Sequence, residues 1–355
     1  MVEKRDNKSL KYVFLYPDIA HPTIAEIDAG RVPKERLAGF YQLKERGWNV
    51  TISDSRWNGP FAGLRRKLKR YFHVPSISMI KDWIPADVIV IKDDFSMALT
   101  LLAKIMGKKV IYLDSMFLIP KSRIRNKLVS INLRLSNLII TFSETQADLW
   151  SHYYQVDRDK FKAMKYSMDQ NFYSLGQRKH GNANMLISVG RDVGRDFPSL
   201  IESIKDKDVQ LNLITLPYLL PDGTQKIKNI NVKERLSYEE LFKIYAKSSV
   251  AVIPLIKDVT YPSGIRAAME AMLLGVPVVC TYTPVMEEYF INGEEIIYVE
   301  PNSPEALWKA INEVELNSAM REKIVNNARN KMLSNYTVNC YSNALESALL
   351  AFNNF

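Results

Sequence analysis

Short apolar runs alternate along this chain with longer stretches in which apolar residues recur at helical spacing. In the first half the runs lie at residues 12–16, 49–53, 87–91, 109–113 and 138–142. In the second half they lie at residues 184–188, 209–215, 230–232, 249–254, 276–280 and 296–299. Because these runs are apolar at consecutive positions, they predict parallel strands whose sheet is covered by helices on both faces.

Helical patterns occupy most of the sequence between the runs. They cover residues 34–46, 96–106, 119–135, 143–154, 197–204, 238–247, 264–274, 304–314 and 318–333. The alternation predicts an α/β protein with two Rossmann-like parallel-sheet domains facing a cleft. The polar, aperiodic stretch Ser174–Asn184 predicts the linker. We therefore expect a first domain over residues 1–175, a second over 183–335 and a terminal helix over 336–355.

Length and composition fit a soluble globular protein of two domains. The 355 residues are 47% hydrophobic and 25% charged, which excludes global disorder. The two cysteines, Cys280 and Cys340, exclude a disulfide scaffold and suit a reducing compartment. No apolar run approaches 18 residues, and the first one is too short for a signal peptide. These features predict a cytoplasmic protein.

Charge is distributed unevenly between the two halves. Residues 1–178 hold 30 Lys+Arg and 18 Asp+Glu, whereas residues 179–355 hold 18 and 21. A basic half favours phosphate-bearing substrates, an anionic membrane surface or nucleic acid. The sharpest basic stretch, residues 61–73, interleaves leucines and aromatic residues with Arg65, Arg66, Lys67, Lys69 and Arg70. Such a segment is typical of a helix lying in anionic headgroups, although a solvated helix face has the same pattern.

A loop, a helix start and a buried strand follow one another in the second half. Residues 261–270 read YPSGIRAAME, and residues 271–280 read AMLLGVPVVC. Ser263 is expected to cap the helix, and Gly264 lets a ligand approach the backbone. The free N–H groups of a helix start suit a diphosphate, and the Glu270 carboxylate suits the hydroxyls of a ribose. A capped amphipathic helix with a surface glutamate is the alternative.

A second signal lies at the end of the strand that begins the second half. Residues 186–195 read LISVGRDVGR, so a strand ends in Gly190 and the two arginines Arg191 and Arg195 follow. Guanidinium groups bind phosphate oxygens in a bidentate manner, and glycine allows a tight turn. The alternative is a solvated loop in which Asp192 and Asp196 pair with the arginines.

Taken together, these segments resemble the donor domain of GT-B glycosyltransferases, and most closely the family 4 group. The resemblance rests on Gly190-Arg191 with Arg195, on SYEEL at 237–241, on a strand that ends in Pro254, and on Glu270-Ala271 followed by GVPVV at 275–279. It covers residues 138–315 with fair specificity and residues 10–137 in topology. The sequence departs from the family at Pro262, where the family has a glutamate that holds the donor sugar.

The resemblance implies a transferase that uses a nucleotide-diphosphate sugar, with UDP or GDP as the nucleotide. By analogy Arg191 and Arg195 hold the diphosphate and Glu270 holds the ribose. The other donor-binding residues are expected to be Gly190, Tyr261, Ser263, Gly264 and Ile265. The resemblance also implies that the terminal helix packs back on the N-terminal domain.

An inverting transfer requires an acid–base side chain in the N-terminal half, because the acceptor hydroxyl is a poor nucleophile. A retaining transfer relies mainly on the leaving phosphate and on electrostatic stabilisation, and the sequence leaves both outcomes open. Asp114 follows a buried strand directly and is the first candidate. His21, in a loop between two prolines, is the second. The four histidines have no metal-ligand spacing and Asp157-Arg-Asp159 lies in a polar loop, so we expect no metal and no cofactor besides the nucleotide sugar.

Three classes of function remain open on the sequence alone. The first is a glycosyltransferase of polysaccharide biosynthesis, peripheral at the inner face of the plasma membrane, that acts on a glycan or lipid-linked acceptor. The second is a sugar-nucleotide epimerase or a phosphorylase of the same fold. The third is a binding protein, either an inactive GT-B partner subunit or a nucleic-acid binder. The aromatic residues of the basic half are dispersed, which argues against nucleic acid.

Overall fold

The computed structural model describes residues 7–16, 20–37, 39–54, 77–92, 97–113, 119, 122–174, 176 and 184–352. The chain forms two compact units. The first contains residues 1–165 and 338–355, and the second contains residues 166–337. The chain therefore passes between the units at Lys165 and Tyr166, before the polar stretch that predicted the linker. None of the described helices is long and apolar enough to cross a membrane.

The first unit is built on a six-stranded parallel sheet with the strand order β2-β1-β3-β4-β5-β6. Its strands are β1 (Tyr12–Tyr16), β2 (Val50–Asp54), β3 (Val88–Lys92), β4 (Lys109–Leu113), β5 (Leu138–Thr141) and β6 (Phe161–Ala163). The helices over the sheet are Ala20–Asp28, Phe40–Glu45, Ile77–Trp83, Met97–Ile105, Arg123–Leu135 and Glu144–Tyr154. The central strands are buried along almost their whole length, as a sheet covered on both faces requires.

Two details near the start of the first unit differ from the sequence expectation. Residues 34–46 were expected to form one helix, but a 3₁₀ turn, Lys34–Leu37, is separated from the helix Phe40–Glu45 by Gly39. Gly39 has a φ of 90°, and a Cβ there would lie 3.0 Å from the Phe14 ring. His21 was expected in a loop, but it lies in the first turn of the helix Ala20–Asp28.

The terminal helix Val338–Phe352 belongs to the first unit. Its Glu346 accepts a hydrogen bond of 2.7 Å from Arg46 and another of 3.1 Å from Trp48 Nε1. Lys8 Nζ lies 3.2 Å from the same carboxylate. A tyrosine on the preceding turn, Tyr341, stacks on Phe142 with 6.4 Å between the ring centroids. Charged and aromatic contacts together hold this helix to the rest of the first unit.

The second unit is built on another six-stranded parallel sheet, with the strand order β12-β11-β10-β7-β8-β9. Its strands are β7 (Met185–Val189), β8 (Gln210–Ile214), β9 (Ile230–Lys233), β10 (Val250–Ile253), β11 (Val278–Thr281) and β12 (Ile297–Val299). The helices over it are Gln170–Ser174, Phe197–Ile204, Tyr238–Lys247, Ile265–Leu273, Pro284–Glu287, Pro304–Leu316 and Ser318–Asn335. The strand order reverses between β7 and β10. In sheets of this kind ligands bind beyond the carboxyl ends of the strands at that reversal.

Candidate functional site

The loops that follow β7 and β10 are joined to each other at the carboxyl edge of the second sheet. Arg195 and Leu255 form an antiparallel bridge between the loops. Asp196 N–H donates to Pro254 O at 3.1 Å, and Ile256 N–H donates to Gly194 O at 2.9 Å. These backbone bonds fix the segment that carries both arginines against the segment that leads to the helix Ile265–Leu273.

The carboxylate of Asp192 ties the two loops together a second time. Its Oδ1 accepts hydrogen bonds from Ser263 Oγ at 2.6 Å, from Gly194 N–H at 3.0 Å and from Tyr261 Oη at 3.1 Å. Its Oδ2 accepts one from Arg195 Nε at 3.1 Å. Burial raises the pKa of Asp192. The Arg195 charge and the Ser263 hydrogen bond lower it by more than burial raises it, so the pKa lies below its usual value. Asp192 is therefore a fixed anion at neutral pH.

The structure places the two arginines in different surroundings. Arg195 is buried, with a side chain only 3% exposed, and it pairs with Asp192. Among the described residues its Nη1 has no hydrogen-bond partner. Arg191 is exposed and donates from Nη2 to the Glu234 carbonyl. Gly190 is needed here because a Cβ would lie 2.4 Å from Arg195 Nε.

The helix Ile265–Leu273 begins at Gly264, and no side chain caps it. The expectation that Ser263 caps this helix was wrong, because its hydroxyl donates to Asp192 instead. Gly264 has a φ of 80°, and a Cβ there would lie 2.6 Å from Ile253 Cγ2. The first backbone N–H groups of a helix have no partner within it, and with the helix dipole they attract an anion. Ile265, the first residue of the helix, is buried.

Glu270 lies in the same helix and is 5% exposed. Its Oε1 accepts a hydrogen bond of 3.0 Å from Tyr173 Oη. Arg266 Nε lies 3.3 Å from that same oxygen, one helical turn earlier. Arg266 in turn donates from Nη2 to Tyr238 Oη. The carboxylate is thus held by protein groups on one side rather than presented as a free surface group.

Tyr245 lies within electrostatic range of both ion pairs. It is fully buried, and burial together with the Glu270 charge raises the pKa of its phenol well above the usual value, although Arg195 and Arg266 oppose the rise. Tyr245 therefore remains a neutral hydroxyl that feels the charges of Glu270, Arg195 and Arg266. In each of the pairs Asp192–Arg195 and Glu270–Arg266 the two charges are opposite, which offsets part of the cost of burying them.

Several residues predicted from the sequence lie outside the described part of the chain. They are the candidate catalyst Asp114 and the basic residues Arg65, Arg66, Lys67, Lys69 and Arg70. The side chain of His21 is also outside it, although its backbone lies in a helix. Among the predicted donor-binding residues, Arg195, Tyr261 and Ser263 meet at Asp192, and Gly190 lies against Arg195. Gly264, Ile265 and Glu270 follow along the helix that begins there, and all seven lie in the second unit. Within the described ranges no group of three His, Cys, Asp or Glu side chains has the arrangement of a metal site.

Sequence reasoning missed the partners of Glu270. Arg266 and Glu270 are four residues apart in one helix, and this spacing brings the two side chains together, so a local signal was available. Tyr173 and Tyr238 had no local signal, because their contacts depend on how separate helices pack. Asp196, the other aspartate expected to pair with an arginine, instead caps the helix Phe197–Ile204 through Ser199 N–H at 3.1 Å.

Solved structures of other proteins share the fold of this chain over almost its whole length. A glycosyltransferase of Rickettsia africae aligns with 97% of this chain and 98% of its own, at a TM-score of 0.70 and 14% identity. HepE of Anabaena, solved with UDP and glucose, aligns with 96% of this chain and 100% of its own, at a TM-score of 0.71 and 14% identity. At such identities the likeness shows the fold, and the expected GT-B architecture is confirmed.

The model of the family described as glycosyl transferases group 1 matches residues 222–331, which lie within the second unit. An uncharacterised glycosyltransferase of Methanocaldococcus jannaschii is 33% identical over 116 residues, which span 30% of this chain and 29% of the relative. The resemblance drawn from residues 237–279 is thereby confirmed.

Proposed function

We propose that this protein is a glycosyltransferase whose second unit binds a nucleoside-diphosphate sugar. The observation that carries the proposal is the preformed anion site at the carboxyl edge of the second sheet. There, an uncapped helix start at Gly264 is joined through Asp192 to the buried Arg195, whose Nη1 has no partner among the described residues. A diphosphate matches both features, because it offers several oxygens to backbone N–H groups and to a guanidinium.

In the proposed reaction the bond between the sugar C1 and the diphosphate oxygen breaks, and a bond from the acceptor oxygen to C1 forms. The helix start, Arg195 and the exposed Arg191 stabilise the charge that develops on the departing diphosphate. Glu270 accepts a hydrogen bond from the ribose. In an inverting transfer the acceptor proton passes to Asp114 or His21, the candidate bases. In a retaining transfer it passes to the departing diphosphate.

The proposed donor nucleotide is UDP or GDP, with UDP to be tested first. HepE, which shares the fold, was solved with UDP and glucose. No metal or further cofactor forms part of the proposal. The base of the nucleotide is expected among residues 216–219, which follow β8, and residues 232–236, which cover the end of β9 and the loop after it.

The acceptor is proposed to be a glycan or a lipid-linked glycan bound by the first unit at the inner face of the plasma membrane. The support is the excess of basic residues in the first half of the chain. Within the described ranges, Arg123, Arg125 and Lys127 are exposed on the helix Arg123–Leu135, and Ile124 beside them is 70% exposed. A basic surface with apolar side chains suits anionic headgroups. Polysaccharide biosynthesis is the expected process, and nucleic acid is not an expected partner.

The test is thermal unfolding of the full chain with UDP, GDP, ADP, CMP and TDP, each with and without EDTA. A ligand at about 100 times its dissociation constant adds about 2.7 kcal/mol, enough to raise the Tm by several degrees. We expect a shift with one diphosphate that EDTA does not change. Arg191→Ala should reduce the shift, because it removes a charge-assisted contact. Lys309→Ala removes an exposed charge on the distant helix Pro304–Leu316 and should leave the shift intact.

Turnover is measured as release of the nucleoside diphosphate from its sugar donor. We expect Arg191→Ala to lower the rate at least about tenfold and Lys309→Ala to leave it unchanged. Full activity in Arg191→Ala would contradict the assigned diphosphate site. Nucleotide binding with no release from any donor would support the inactive partner subunit, and conversion of one sugar nucleotide into another would support an epimerase.

A further inference from the structure

Only one oxygen of the Glu270 carboxylate, Oε1, has polar partners among the described residues. Tyr173 Oη donates to Oε1 at 3.0 Å, and the Arg266 guanidinium lies against the same oxygen at 3.3 Å. Among the residues that the structure describes, we find no donor to Oε2. Turning the carboxylate away would break both its hydrogen bond from Tyr173 and its ion pair with Arg266, so the direction of the second oxygen is fixed.

The two groups that hold Oε1 are themselves held. Tyr173 is fully buried, and its ring lies 5.9 Å from that of Phe242 and 6.3 Å from that of Tyr238. Arg266 is pinned at its other end by the hydroxyl of Tyr238. Tyr238 opens the helix Tyr238–Lys247, and Tyr173 lies in the short helix Gln170–Ser174. Three helices therefore contribute one side chain each to orienting a single carboxylate.

We propose that Tyr173 and Arg266 are positioning residues that aim Oε2 of Glu270 at a ribose hydroxyl of the donor nucleotide. This inference rests on the proposed function, since it assumes a nucleoside diphosphate at the site. Neither residue touches the nucleotide. They act by restricting the carboxylate to the one orientation in which its free oxygen faces the ligand, which removes an ordering cost from binding.

The test compares the affinity of UDP with that of 2′,3′-dideoxy-UDP, or the corresponding pair for whichever nucleotide gives the thermal shift. The dideoxy form lacks both hydroxyls, so the ratio of the two dissociation constants isolates the ribose contact. A hydrogen bond to a charged group gives the unmodified protein a preference for the ribose form of at least about tenfold. We expect Tyr173→Phe and Arg266→Gln each to reduce this preference severalfold, with Arg266→Lys restoring part of it.

A control separates positioning from general loosening of the cluster. Phe242→Leu removes a ring that packs on Tyr173 but touches neither oxygen of Glu270. It should change the affinities for the two nucleotides in parallel and leave their ratio unchanged. All variants are first checked for an unaltered circular dichroism spectrum, and Tyr173→Phe keeps the ring in place should Arg266→Gln fail to fold.

The outcomes distinguish this inference from the proposed function. An unchanged ribose preference in both Tyr173→Phe and Arg266→Gln would overturn the positioning role while leaving the donor site in place. A parallel loss of affinity for both nucleotides in those variants would likewise show a structural role only. Failure of every nucleotide to bind the unmodified protein would overturn the proposed function itself, and with it the ligand assigned to Glu270.

Discussion

Two features of the structure require glycine at position 264, where the helix that faces the proposed donor starts. Its φ of 80° is in the left-handed region, and a Cβ would lie 2.6 Å from Ile253 Cγ2. Gly293 has nearly the same φ, 76°, but nothing lies within 4 Å of the place where its Cβ would be. The two glycines in one unit thus separate the effect of backbone conformation from the effect of crowding.

We expect Gly264→Ala to be clearly more destabilising than Gly293→Ala. Left-handed strain costs each variant about 1 kcal/mol, and crowding against the β10 strand adds about 1–3 kcal/mol for Gly264 alone. The measurement is the free energy of unfolding in urea. Equal losses in the two variants would mean that the helix start has room for a side chain.

Arg195 shows how far residue-level reasoning reached at this site. From the sequence, Arg191 and Arg195 are both predicted to bind the diphosphate, and pairing with Asp192 and Asp196 is the alternative. In the structure Arg195 is paired to Asp192 and buried, whereas Arg191 is exposed. The loop sequence contains the pairing partners, but it cannot give their depth, because the burial of Arg195 depends on its bridge to Leu255 in the loop that follows β10.

At the scale of elements, the terminal helix Val338–Phe352 depends on one carboxylate with three partners. Arg46, Trp48 and Lys8 all contact Glu346, and the hydrogen bond from Arg46 is the largest contribution that lowers its pKa, to about 2. The pKa in the unfolded chain is about 4.3, so the stabilisation is present above that pH and is lost as the pH falls towards 2. The side chain is 20% exposed, and solvent therefore screens the pair.

We expect Glu346→Gln to lower the free energy of unfolding by about 1 kcal/mol at pH 7, after allowance for that screening. The difference from the unmodified protein should shrink as the pH is lowered from 5 to 2, because over this range the carboxyl of the unfolded chain takes up a proton that the folded chain binds only near pH 2. Urea unfolding across this pH range gives the measurement. Glu322→Gln, an exposed change on the helix Ser318–Asn335, is the control and should show no such trend. A difference that stays constant with pH would contradict the ion-pair account.

Strands were predictable here and element boundaries less so. Buried parallel strands such as β1 and β4 are unbroken apolar runs, and their bounds match the pattern to the residue. The three-residue edge strand β6 was missed because Phe161–Ala163 is too short to carry a pattern. The break at Gly39, where φ is 90°, was missed, and the requirement for glycine there comes from residues distant in sequence, because a Cβ would lie 3.0 Å from Phe14 and 3.2 Å from Leu345.

At the scale of the whole molecule, the uneven charge is the feature that the fold does not explain. The second unit already accounts for a donor nucleotide, yet the excess of basic residues lies in the first half of the chain. A fold requires no such asymmetry, and net charge bears on partners rather than on architecture. The proposed partner, an anionic membrane surface, would also use the apolar residues that the sequence places within the basic stretch at 61–73.

We expect the full chain to bind vesicles containing anionic lipid and to lose that binding when the basic stretch is neutralised. Each basic residue near such a surface contributes about 1 kcal/mol, so changing Arg65, Arg66, Lys67, Lys69 and Arg70 to Gln should weaken binding well over tenfold. Cosedimentation with anionic and with neutral vesicles, at low and at high salt, gives the measurement.

The matched control removes the same charge from exposed lysines of the second unit, by changing Lys205, Lys226, Lys247, Lys309 and Lys323 to Gln. If the two quintuple variants bind equally, only the total charge matters and the location proposed for the membrane surface is wrong. If the unmodified protein does not prefer anionic vesicles at low salt, the basic half serves a soluble phosphate-bearing acceptor instead.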